Sequence, residues 1–116
     1  MGTAQDRGRA AEALAAAYME LLGCRPVARN VRLGGVEVDL VVDDGAERVL
    51  VEVRVRNRAD FGGAAATVDH HKRQRLVRAA RALEQQGATR VRVDVVAVDL
   101  VPEGAKVSHF RNAVTD

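Results

Sequence analysis

Val36-Glu37-Val38-Asp39-Leu40-Val41-Val42 and, a turn later, Val49-Leu50-Val51-Glu52-Val53-Arg54-Val55-Arg56 decide how this chain folds. Both read as strands rich in valine, and Asp43-Asp44-Gly45 between them is a hairpin signal. Carboxylates interrupt both segments, where burial without a cation or ligand would be costly. Strand side chains alternate faces, so Glu37, Asp39 and Val41 share one side, and Glu52 and Arg54 share one side of the next strand. Pairing as a hairpin brings Asp39, Glu52 and Arg54 together, a seat for a divalent metal and a phosphate. Spacing alone favours a plainer account, a cross-strand charge ladder on a solvated face.

Outward from this pair, the order is helix, three strands, helix, strand and a short edge strand. A first helix is predicted from about Gln5 to Leu22, with Ala11, Leu14, Ala15, Tyr18, Leu21 and Leu22 as its apolar stripe and Gly23 as its stop. Glu12 falls at the border of that stripe. Pro26 to Leu33 reads as a strand ending in the Gly34-Gly35 turn, and the acidic strands run from about Val36 to Val42 and Arg48 to Val55. Asn57 to Thr67, with Phe61-Gly62-Gly63, is expected to be an irregular loop. Asp69 to Gln86 reads as the second helix, burying Leu76, Ala79, Ala80 and Leu83. Arg90 to Leu100 has the nearly unbroken valine pattern of a central strand, and Lys106 to Phe110 that of a short edge strand. A helix between two strands of one sheet implies a parallel crossover. The expectation is a single α/β domain over residues 1–116.

Composition narrows the class. At 116 residues the chain can bury a core without staples. With 47% apolar but only 3% aromatic residues, that core is built from Val, Leu and Ala. Net charge is +2, and of the eighteen cations only Lys72 and Lys106 are lysines. Arginine offers a planar fork suited to phosphate. The single Cys24 excludes an internal disulfide and a cysteine-cluster metal site, and is read as a small buried residue. No signal-peptide pattern and no bilayer-length apolar run occur, so a cytoplasmic protein is expected.

Several blocks together resemble one family. Gly8-Arg9-Ala10-Ala11-Glu12-Ala13-Leu14-Ala15-Ala16-Ala17-Tyr18, Arg29-Asn30, Glu37-Val38-Asp39-Leu40-Val41 and Val51-Glu52-Val53-Arg54-Val55-Arg56 stand in the order of the YraN-like bacterial proteins. So do Phe61-Gly62, Lys72-Arg73-Gln74-Arg75-Leu76, Val93-Asp94-Val95-Val96 and Asn112-Ala113. That family is similar to the restriction-endonuclease-like PD-(D/E)XK group and to archaeal Holliday junction resolvases. The resemblance implies a mixed sheet of four to five strands flanked by helices, with a nuclease-type site. It implies Asp39 and Glu52 as ligands of Mg²⁺ or Mn²⁺, helped by the Val53 carbonyl, and Glu12 as a first-helix acid approaching the metal. Arg54 stands where the pattern calls for lysine, and Gly35-Val36-Glu37 makes the preceding turn one residue longer. A permanently charged Arg54 stabilises a phosphate but cannot act as a base. The two-fold dimers of the resolvases make a homodimer the assembly implied by analogy.

The second helix carries Lys72, Arg73, Arg75, Arg78 and Arg81, and Arg54, Arg56 and Arg58 lead towards it. Such a surface suits salt-sensitive backbone binding of nucleic acid, against the plainer account of a solvated helix face whose arginines reflect a GC-rich genome. Arg56, Lys72, Gln74, Arg75 and Arg78 are the expected contacts. Without interleaved aromatics to stack bases, duplex or branched DNA fits better than single strands, and nothing in the pattern sets RNA aside. Adjacent His70 and His71 point about 100° apart on a helix and cannot easily chelate together. His109 is expected to be structural and without partners, and Asp94 to form a salt bridge with Arg92 or with a helix residue. The expectation is a nucleic-acid-binding protein, a metal-dependent endonuclease or, alternatively, an inactive module of the same fold that binds nucleic acid or a protein.

Overall fold

The structure is a computed structural model and describes residues 3–57, 69–88 and 90–115. The loop expected at Asn57–Thr67, with its Phe61-Gly62-Gly63, lies outside these residues beyond Asn57. The chain runs α1 (Ala4–Leu21), β1 (Arg25–Leu33), β2 (Val36–Asp44), β3 (Glu47–Asn57), α2 (His70–Gln85), β4 (Val91–Val101) and β5 (Gly104–Val114). The strands form one five-stranded sheet in the order β1-β2-β3-β4-β5. Every neighbouring pair is antiparallel except β3 and β4, which α2 connects as a parallel pair. This mixed sheet with two helices is an α/β fold consistent with the restriction-endonuclease-like class.

Both helices begin at side-chain caps. Thr3 Oγ accepts the Asp6 N–H at 3.1 Å while the Asp6 carboxylate accepts the Thr3 N–H at 3.2 Å, a reciprocal box that starts α1. Asp69 accepts the Lys72 N–H at 2.9 Å and so places Lys72 in the first turn of α2. The α2 face buried in the core is Leu76, Ala79 and Leu83, as its spacing predicts, with Ala80 half-buried.

The buried face of α1 keeps Ala11, Ala15 and the half-buried Tyr18 of the predicted stripe but not its leucines. Ala11, Ala15 and Met19 point inward, whereas Leu14, Leu21 and Leu22 are 38%, 87% and 54% exposed. Alanine surrounds this helix on nearly every side, so hydrophobicity cannot fix its rotation. Close approach to the sheet decides it instead, and the small Ala11 and Ala15 permit that approach.

Two cores sandwich the sheet. Ala15 and Met19 of α1 cover Leu40, Val42, Val49, Val51 and Val96, while Leu76, Ala79 and Leu83 of α2 cover Val36, Val38, Val41, Leu50 and Val93. Val38 and Leu40 are two apart and should share a face, yet they join opposite cores. The switch falls at Asp39, opposite Asn30 of β1 with its φ of 50°, where the β1–β2 ladder skips a pair and the β2–β3 ladder has ended. From the Gly45 turn the β2–β3 ladder runs only from Asp44–Glu47 to Leu40–Val51, while β2 continues beside β1 through Val38 and Val36. Beyond Leu40, β2 leaves β3 and twists. A gap opens beside Asp39.

β4 is buried from Arg92 to Val98, the central strand its pattern predicts. β5 exceeds the short edge strand expected at Lys106–Phe110, pairing from Gly104 to Val114 across a register shift opposite Val93–Val95, with Asn112 at φ 52°. The reason is a buried charge. Asp94 is fully buried and accepts from Arg92 at 3.0 and 3.2 Å and from the Asn112 N–H at 2.9 Å, and lies 2.8 Å from His109 Nε2. His109 therefore has partners, contrary to expectation, including the Tyr18 hydroxyl at 3.3 Å and its ring edge-on at 5.4 Å. Arg92 also meets Glu47 at 2.8 Å and Asp44 at 3.0 Å. Burial alone would lower the Arg92 pKa, but Asp94, Asp44 and Glu47 hold it above its ordinary value. Cys24 is buried, as read from its position. Among the described residues no helix is long and apolar enough to cross a membrane.

Candidate active site

The gap where β2 leaves β3 is a pocket of about 240 Å³ lined by Val36, Glu37, Asp39, Glu52, Val53, Lys72, Arg75 and Leu76. β2 supplies Asp39, whose carboxylate accepts the Val53 N–H at 2.9 Å. That bond replaces the strand ladder where pairing stops, so the break in the sheet is what aims the side chain. β3 supplies Glu52, only 6% exposed. Two carboxylates thus flank one space, with Leu76 and Val36 as its apolar wall.

Electrostatics mark Asp39. Its pKa is pushed up to about 6, first by burial and then by the neighbouring charges of Glu52 and Glu12. The Val53 hydrogen bond and Lys72 act the other way and do not cancel the rise. A half-buried acid whose pKa is raised among other acids is the pattern common at functional sites.

Two cations answer Glu52. Lys72 Nζ lies 2.7 Å from its Oε2, and Arg54 Nη1 3.8 Å from the same oxygen. The nearer one comes from α2 and not from the strand. Sequence spacing puts Arg54 on the Glu52 face but is silent on where a distant helix crosses the sheet, so this closeness of Lys72 was illegible. Glu37, exposed at the pocket's mouth, was read only as part of the charge alternation.

The remaining candidates divide. Glu12 is half-buried on α1 and acts on Asp39 through charge, and it does not line the pocket. Arg75 lines the pocket beside Lys72. Arg56 is held by Asp99 through a two-pronged bridge of 2.7 and 2.9 Å joining β3 to β4. Gln74 and Arg78 lie on a separate groove between α2, the Gly34 turn and Thr115, with Arg73, Arg81 and Gln85. His70 and His71 are exposed with ring centroids 6.3 Å apart. Asp39 and Glu52 are hard oxygen donors of the kind divalent cations take. Among the described residues no cluster of three or more His, Cys, Asp or Glu side chains is arranged to hold a metal.

Residues 11–98, which contain Glu12, Asp39, Glu52 and Lys72, match the model of "Uncharacterised protein family UPF0102". A UPF0102 protein of Halorhodospira halophila is 47% identical over 109 residues, covering 94% of this chain and 87% of its own. A UPF0102 protein of Methylococcus capsulatus is 41% identical over 109 residues, covering 92% and 89%. The UPF0102 protein YraN of Salmonella agona is 40% identical over 115 residues, covering 98% of this chain and 88% of its own. With the match spanning most of the chain and relatives of this likeness aligned nearly end to end, the protein belongs to the UPF0102 family.

Proposed function

We propose that this protein is a metal-dependent endonuclease of the PD-(D/E)XK type, similar to Holliday junction resolvases and acting on branched or otherwise structured DNA. The observation that carries the reading is the meeting of Asp39 and Glu52 at one pocket where the sheet opens. The donor set suits Mg²⁺ or Mn²⁺: two carboxylates from neighbouring strands leave other positions to water and substrate oxygens, which such ions prefer. A bound ion would polarise the phosphoryl oxygen and lower the pKa of a water.

The chain's own residues do the rest. Asp39 is held in register by the Val53 N–H, and Glu12 adds negative charge that favours a cation at the pocket. Arg75 at the pocket, and Gln74 and Arg78 along the groove between α2 and the Gly34 turn, hold phosphates on either side of the reacting one. Arg54, beside Glu52, stabilises charge that builds on the phosphate.

The test is a cleavage panel of single-stranded, duplex, flapped and four-way DNA with Mn²⁺. Asp39→Ala and Glu52→Ala are expected to abolish product while binding the same DNA as tightly as the parent. Absence of product from every substrate in Mg²⁺ and Mn²⁺ overturns the enzymatic reading. The Lys72–Glu52 contact favours a second reading, a non-catalytic module with one of its two acids already neutralised. Such a module shows salt-sensitive DNA affinity and no product at any metal concentration.

A further inference from the structure

A carboxylate pair built to take a divalent ion should repel itself when the ion is absent. Here one of the two acids is already answered. Lys72 Nζ sits 2.7 Å from Glu52 Oε2, on a side chain only 32% exposed, and Lys72 also acts by charge on Asp39. Its position is fixed by the helix: Asp69 caps α2 at the Lys72 N–H, and Leu76, one turn on, anchors the same face in the core. The ammonium group therefore occupies the side of Glu52 that opens on the pocket, where Arg75 also lies.

Resting on the nuclease reading above, we propose that Lys72 is the internal counter-cation of this site, exchanging between Glu52 and the substrate phosphate as a divalent ion arrives. Without the ion, Lys72 neutralises Glu52 and keeps the two acids at short range. An ion bound to Asp39 and Glu52 repels the ammonium and takes its oxygen. The four-carbon stem then lets the released charge turn to a phosphate at the pocket mouth, beside Arg75. Arg54 does this less well. Its guanidinium is 3.8 Å from Glu52 and it does not line the pocket.

Competition for one oxygen has a signature that a merely structural lysine lacks. Mn²⁺ affinity of the DNA-free protein, measured by electron paramagnetic resonance, should tighten about tenfold in Lys72→Met, a modest share of the Coulomb repulsion removed. Lys72→Arg, which keeps the charge, should stay near the parent. A second readout follows duplex affinity with and without Ca²⁺. The parent should bind DNA more tightly once Ca²⁺ is present, and Lys72→Met should lose that gain. Equal or weaker Mn²⁺ binding in a Lys72→Met protein with native circular dichroism overturns the exchange and leaves the nuclease reading standing. Failure of parent and variants alike to bind Mn²⁺ overturns both.

Discussion

Asp39 combines two demands that oppose each other. On the proposed metal-site reading its place in the gap serves cation binding, yet burial and the charges of Glu52 and Glu12 raise its pKa to about 6, above that of an unfolded aspartate. A carboxyl group raised in this way binds a proton in the folded protein that the unfolded chain has already released. Between about pH 4 and 6 the folded state holds more protons, so stability falls as pH rises through that window and the deficit persists above it. Asp39→Asn, which keeps an acceptor for the Val53 N–H, removes the deficit. Without metal it is expected to be more stable than the parent by about 1–2 kcal/mol at pH 7.5, after discounting for partial exposure. At pH 4 the two should unfold at nearly the same urea concentration. A difference between the two proteins that stays the same at both pH values would show that Asp39 titrates normally.

At the scale of elements, α2 separates cations that face the site from those that do not. Arg75 lines the acidic pocket, whereas Arg56 of β3 is occupied by Asp99. Arg75→Ala is expected to reduce the salt dependence of DNA binding by about one unit of log–log slope. Arg56→Ala should leave that slope unchanged and cost stability, because Asp99 loses its bridge. Equal loss of slope in both would return Arg56 to the binding surface. The same comparison shows what could be read in advance. The α2 core face was legible because Leu76, Ala79 and Leu83 stand out among polar neighbours. The rotation of α1 was not, since its alanines look alike on every face. Strand alternation put Asp39 and Glu52 near one another but favoured a charge ladder on its own; the family resemblance is what singled them out as a pair. Lys72 at Glu52 was not legible, since it depends on how a helix about twenty positions later lies over the sheet.

Across the whole molecule, one polar network ties elements that hydrophobic pattern alone would leave independent. Tyr18 of α1, Asp94 of β4 and His109 of β5 are linked in series, and Arg92 carries the chain on to Asp44 of β2 and Glu47 of β3. Among the described residues no buried side-chain nitrogen or oxygen lacks a partner. Breaking a buried ion pair on one side is costly because the other charge remains. Asp94→Ala is expected to destabilise the protein by about 3 kcal/mol. The value sits at the lower end of such losses because Asp44 and Glu47 still hold Arg92. The midpoint of urea unfolding should shift with little change in slope. A shift below about 1 kcal/mol would mean that water or a rearranged Arg92 replaces the carboxylate.

The alanines of the first helix have a consequence for chemistry as well as for packing. Ala11 and Ala15 act as thin shims under α1, and Glu12 rides on the layer they set. Bulkier shims would lift the helix and carry the Glu12 charge away from Asp39, letting that acid give up its proton more easily. A methyl group's thickness, far from any substrate, would thereby help tune the acidity of the site.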